Sequence, residues 1–152
     1  MRAISLWQPW ATWTEKEWKK IETRRHSRLR GLVGQRIIIQ AAEKWDPEWW
    51  YKSEKYLTEE QYQETAKAAA AHLNKADIWP RKALICTVFP YGHGPLGDMA
   101  SNAALCNCYS TNNLFGLFLQ DVRRFTPIPW PGKQFPFEVP DEVIKEAKHG
   151  SD

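Results

Sequence analysis

"GQRIIIQAA", residues 34–42, decides the fold. Three consecutive isoleucines behind Gly34 favour an extended chain, and their lack of alternation marks a largely buried strand. Upstream, "RAISLW" at 2–7 alternates, with Ala3 and Ser5 on one side and Ile4 and Leu6 on the other. Downstream, "KALICTVFP" at 82–90 is a second apolar strand, and "LFGLFLQDVRRFTPI" at 114–128 returns to strand character. The proline-rich "PIPWPGKQFPFEVP" at 127–140 predicts a turn followed by a last short strand.

Helices fall between these strands. Pro9 suits a first helical turn, and Trp10, Trp13 or Thr14, and Trp18 recur at helical spacing through "PWATWTEKEWKK". In "WDPEWW", Asp46 as N-cap and Pro47 at the first position predict a short helix. "TEEQYQETAKAAAAHLNKAD" at 58–77 is a helix with a Thr58–Gln61 capping box and an apolar stripe of Tyr62, Ala66, Ala69, Leu73 and Ala76. "PDEVIKEAK" closes the chain as another helix. "YGHGPLGDMASNAALCNCYSTNN", 91–113, has no periodicity and is expected to be a long loop of the kind that covers a site. Strands outnumber the helices interleaved with them, which predicts an α+β class: a small, mostly antiparallel β-barrel with helices covering its openings.

The 152 residues suit one domain spanning 1–152, with a helical insertion at about 46–79. No apolar run approaches the length of a membrane span, and the start lacks the plan of a signal peptide, so a soluble, cytoplasmic protein is expected. Cys86, Cys106 and Cys108 fit neither a disulfide framework nor, with His93, a metal-ligand spacing. No metal and no cofactor are expected. The net charge of +3 is small, but "RRHSRLR" at 24–30 gathers four arginines and a histidine without a carboxylate.

The segment with the most chemistry is "EWKKIETR", 17–24. If its end is extended, Ile21 and Thr23 face one way and Glu22 and Arg24 the other, while Lys19 approaches from the preceding turn. That places a carboxylate between two cations, which favours its ionised form.

Taken together, "ISLWQPWA" at 4–11, the Lys-x-x-Glu-x-Arg of 19–24, Arg30 and Gly31 ahead of "RIIIQAA", "ALICTV" and "FGLFLQDVRRFTPIPWPGKQFPFEV" occur in an order that resembles the ASCH domain. The ASCH domains belong to the PUA-like group of small β-barrels, and the resemblance spans roughly the whole chain. One position departs from the family pattern. Two residues before the lysine, where a glycine is usual, stands Glu17, so a differently shaped turn is expected.

The resemblance implies a cleft where the N-terminal strand and first helix meet the Lys-x-x-Glu-x-Arg segment, suited to RNA, single-stranded nucleic acid or a modified nucleobase. In that cleft Trp7 and Trp10 would be flat walls for stacking, Gln8 would read a base edge, and Pro9 would fix the turn between them. Lys19, Glu22 and Arg24 would sit at the base of the cleft, and Arg25, His26, Arg28 and Arg30 would contact phosphates. The alternative from another class is catalysis: a small amidohydrolase deacylating N4-acylated cytidines, or a ribonuclease, with Lys19 and Glu22 as the reacting pair. The family's deacylases have a threonine three residues after the lysine; here that position is Glu22.

Overall fold

The computed structural model describes residues 1–51, 55–97 and 113–147. Among the described residues, six strands and three α-helices follow one another: β1 (Arg2–Gln8), α1 (Trp10–Glu15), β2 (Ile21–Arg24), a 3₁₀ turn (Arg28–Leu32), β3 (Ile37–Trp45), α2 (Glu59–Leu73), β4 (Ala83–Pro95), β5 (Phe115–Pro129), β6 (Phe137–Glu138) and α3 (Asp141–Lys145). The strands form one mixed sheet in the order β2-β5-β4-β3-β1-β6. All pairings are antiparallel except β1 with β3, which runs parallel with Ala3 opposite Ile38 and Ser5 opposite Gln40. The sheet curls into a half-barrel with helices packed on it, giving the α+β architecture that the alternation of elements implied.

Alternation along β3 feeds two cores. Ile37 and Ile39 point into the barrel with Ile4, Leu6, Val88, Leu117 and Leu119, while Ile38 joins Ala3, Leu84, Phe125, Phe137 and Val139 on the other face, under Val143 and Ile144 of α3. Leu29 and Leu32, three apart and eclipsed on the 3₁₀ turn, plug the inner core.

A third cluster joins α1 and α2 to the barrel through Trp13, Trp49, Ala68 and Trp79. It receives only the first part of the expected apolar stripe of α2. The helix starts as expected, with the Thr58 side chain accepting from Gln61 N–H and the Gln61 side chain accepting from Thr58 N–H. Tyr62, Ala66 and Ala69 of the expected stripe pack against this cluster, but the fully buried positions are Thr65 and Ala68, and Leu73 is 82% exposed, with Ala76 beyond the helix and also exposed. Tryptophan rings need small neighbours, and the Trp13 indole N–H donates to Thr65 Oγ1 at 3.0 Å, so α2 turns its threonine and alanines inward.

Three further expectations are corrected. Residues 47–51 form i→i+3 turns, not a helix: Trp49 N–H bonds Asp46 O, Tyr51 N–H bonds Glu48 O, and the Asp46 carboxylate accepts from Glu48 N–H at 2.9 Å. The stretch from residue 91 does not begin as a loop, because β4 runs on to Pro95, pairing His93 with Leu117 and Gly94 with Gly116. That register needs glycine at 116, where a Cβ would stand 2.7 Å from Leu96 Cδ2 and 2.8 Å from Ile21 Cγ2. The rest of the expected loop, with Cys106 and Cys108, lies outside the described residues; Cys86 is a buried free thiol.

The third correction concerns α1, which stops at Glu15 rather than continuing to Lys20. Trp18 N–H bonds Trp13 O at 2.8 Å and Glu17 N–H bonds Thr14 O at 3.1 Å. These are the two bonds of a Schellman motif, and Glu17 occupies its left-handed position with φ 62°. The turn therefore keeps the shape that glycine favours, with a glutamate in the strained place. Among the described residues no helix is long and apolar enough to cross a membrane.

Candidate functional site

The curl of the sheet brings β2, at one edge, toward β1, with three strands between them in the order. Between them is a cleft of about 330 Å³. Ser5, Leu6 and Trp7 line it from β1, Trp10 from α1, Glu22 and Arg24 from β2, and Lys133 and Gln134 from the turn before β6.

The two tryptophans differ in freedom. Trp10 is partly buried and meets Trp13 edge-on, with ring centroids 5.2 Å apart, so its plane is fixed. Trp7 is 45% exposed and carries the Lys44 ammonium 5.2 Å from its ring centroid. Gln8 lies between them in sequence but points away from the cleft. Buried to 2% exposure, its amide N–H₂ donates to Thr12 Oγ1 and to Pro80 O, both at 2.7 Å, while its oxygen accepts from Thr12 N–H. It serves as a cap on α1. Pro9, joined to Gln8 by a cis peptide, is the N-cap residue of α1, and its carbonyl accepts from Trp13 N–H.

At the base of the cleft, Glu22 pairs opposite Leu117 and Arg24 opposite Phe115. Arg24 Nη1 donates to Glu22 Oε1 at 2.9 Å. Glu22 is only 4% exposed, and its second oxygen, Oε2, has no hydrogen-bond partner among the described residues. A buried carboxylate oxygen without a protein donor is expensive to keep and is free to accept from an N–H or O–H of a water or another molecule. Lys19 does not line this cleft. It is buried, its ammonium donates to the Ile21 carbonyl, and it borders a separate hollow of about 240 Å³ with Thr14, Glu17 and Tyr91.

The basic stretch follows directly. Burial of Leu29 and Leu32 turns Arg28 and Arg30 to solvent, where Arg25 also stands. His26 accepts from Arg28 N–H at 3.2 Å through Nδ1. Partial desolvation, then the charges of Arg28 and Arg24, hold its pKa below the usual histidine value. His93 stacks on Phe115 at 5.8 Å and is depressed likewise, first by desolvation and then by Arg30 and His26. Among the described residues no group of three histidine, cysteine, aspartate or glutamate side chains is placed to hold a metal ion.

Sequence reasoning brought Trp7, Trp10, Glu22 and Arg24 to one place but missed Ser5, Lys133 and Gln134. The signal for the latter pair was "PGKQ", a turn whose glycine permits a close backbone approach. A Cβ on Gly132 would lie 2.5 Å from Gln40 Oε1 and 2.7 Å from Ser5 Oγ.

A curled mixed sheet with helices at its openings is an ASCH-like fold. The solved structures agree on the fold. The ASCH protein of Zymomonas mobilis superposes with a TM-score of 0.57 at 15% identity, covering 97% of this chain and 95% of that one. Two single-residue variants of the same protein give TM-scores of 0.56 at 13% and 14% identity, each over 97% of this chain and 98% and 96% of theirs. No protein-family model matches the chain, and no curated protein is significantly similar to it.

Proposed function

We propose that this domain binds single-stranded nucleic acid, RNA foremost, or a modified nucleobase, by taking one base into the cleft between β1 and β2. The observation that carries the reading is the Glu22 carboxylate, nearly buried beside two tryptophans with one oxygen left without a donor. Such a site suits a flat ligand with N–H groups on its edge, which describes a nucleobase. Trp7, exposed and adjacent, supplies the stacking face. Arg24 neutralises the carboxylate, while Arg25, His26, Arg28 and Arg30 contact the phosphates next to the inserted base.

Binding is favoured over turnover by the placement of Lys19, whose ammonium is turned to the Ile21 carbonyl and whose neighbouring hollow is not the cleft. The test is titration of the purified protein with fluorescein-labelled single-stranded RNA at several salt concentrations. The logarithm of the affinity should fall linearly with the logarithm of salt, with a slope of about −0.7 for each phosphate contacted. Trp7→Ala should weaken binding by roughly 5- to 150-fold, the loss of one stacked base at about 1–3 kcal/mol. Affinity indifferent to both salt and Trp7 would overturn the reading.

A further inference from the structure

Trp7 borders two hollows. The cleft lies on one side; on the other is a larger one of about 690 Å³, lined by Ala42, Glu43, Lys44, Lys82 and the Pro131–Gln134 turn, with Ser5, Trp7, Lys133 and Gln134 shared. We propose that this outer hollow is a phosphate site, holding the backbone phosphate on the far side of the inserted base, with Lys44 and Lys133 as its cations. The proposal rests on the base-binding reading of the cleft and adds a second anchor opposite the arginines of 24–30.

Charge supports it first. Of the three lysines, Lys82 already has a counter-charge in Glu43, at 3.4 Å. Lys44 and Lys133 have no carboxylate within ion-pair distance among the described residues. Lys44 lines the outer hollow and not the cleft, and its ammonium lies over the Trp7 ring. The outer face of that ring is therefore taken by a cation, which suits an anion there and leaves the inner face for a base.

Rigidity supports it second. The turn carrying Lys133 is pinned at three points. The Gln40 amide, wholly buried, donates to Trp130 O at 2.8 Å; Lys133 N–H donates to Ser5 Oγ at 3.1 Å; and Gly132 lies so close to both side chains that no Cβ fits. Lys133, at the rim of both hollows, is thus held by a fixed backbone, so little ordering remains to oppose binding. The volume is ample for a ribose phosphate, within the roughly 300–1,000 Å³ usual for ligand sites.

The experiment uses the full chain, a short single-stranded RNA, and the same RNA with one neutral methylphosphonate linkage moved along it. Lys44→Gln with Lys133→Gln should reduce the magnitude of the salt slope by about 0.7, the share of one single-strand phosphate contact, with an unchanged thermal midpoint. Methylphosphonate at one particular linkage should weaken wild-type binding severalfold and have no effect on the double variant. If wild type binds RNA but the double variant keeps the full salt slope, the phosphate site is refuted and base binding in the cleft survives. If wild type binds no RNA at all, the reading of the cleft fails and the phosphate site falls with it.

Discussion

Glu22→Gln separates stability from binding. The substitution keeps shape and the acceptor for Arg24, and removes a charge from a residue that is 4% exposed. The lost attraction is modest, because Arg24 is 34% exposed and a pair with one solvated partner contributes at most about 1 kcal/mol. Against it stands relief of desolvation: a buried carboxylate costs several kcal/mol before its partners offset the cost, and here one oxygen has no partner among the described residues. Folding stability should therefore stay within about 1 kcal/mol of wild type or rise. Binding should move the other way, since a hydrogen bond to a charged acceptor is worth about 1.5–3 kcal/mol, or roughly 10- to 150-fold in affinity. Urea denaturation followed by tryptophan fluorescence gives the first quantity, and anisotropy titration with labelled RNA the second. A variant that loses more than about 2 kcal/mol while keeping its affinity within twofold would refute the reasoning and make Glu22 a structural residue.

Other consequences of the geometry are as direct. Glu17→Gly should stabilise the domain by about 0.5–1 kcal/mol, because the left-handed backbone costs a side chain about 1–2 kcal/mol while glycine gives back about 0.5–1 in unfolded-chain entropy; a lower urea midpoint would contradict the strain at φ 62°. Thr65→Val should cost about 1–3 kcal/mol by stranding the buried Trp13 indole N–H, and a calorimetric midpoint unchanged from wild type would show that the bond contributes nothing. Acidification should weaken the fold through His26 and His93. Their folded pKa values lie below the unfolded one near 6.5, so the unfolded chain binds more protons, and their contribution is complete above that pH and lost as pH falls below it. His93→Phe should flatten the dependence of the melting temperature on pH between about 7.5 and 5; an unaltered slope would mean that His93 plays no part.

What was legible in the sequence was what local chemistry determines. The isoleucine run fixed β3, the Thr58–Gln61 pair fixed the start of α2, and alternation through "IETR" put Glu22 and Arg24 on one strand face. What was not legible depends on partners far away in the chain. The phase of α2 is set by tryptophans of α1 and of the segments before and after α2, which accept Thr65 and Ala68 but leave Leu73 in solvent. The end of α1 was hidden because a glutamate occupies the place where glycine would have announced the cap. Gln8 sits between two tryptophans of the cleft, yet a strand followed at once by a helix turned its side chain inward to Thr12 and Pro80. Lys133 and Gln134 reach the cleft only because Ser5 and Gln40 hold their turn, and no short-range pattern encodes that contact.

The cleft is the open seam of a half-barrel, its walls drawn from strands separated by the full width of β5, β4 and β3. An occupant there touches both sides of the opening and acts as a clasp. By mass action it would add about 2.7 kcal/mol to the stability of the whole sheet at a ligand concentration one hundred times Kd, although it contacts only the seam. The converse also holds: parting β2 from β5 at the sheet edge dismantles half of the cleft, so the lifetime of a bound ligand is bounded by how often that edge strand peels away.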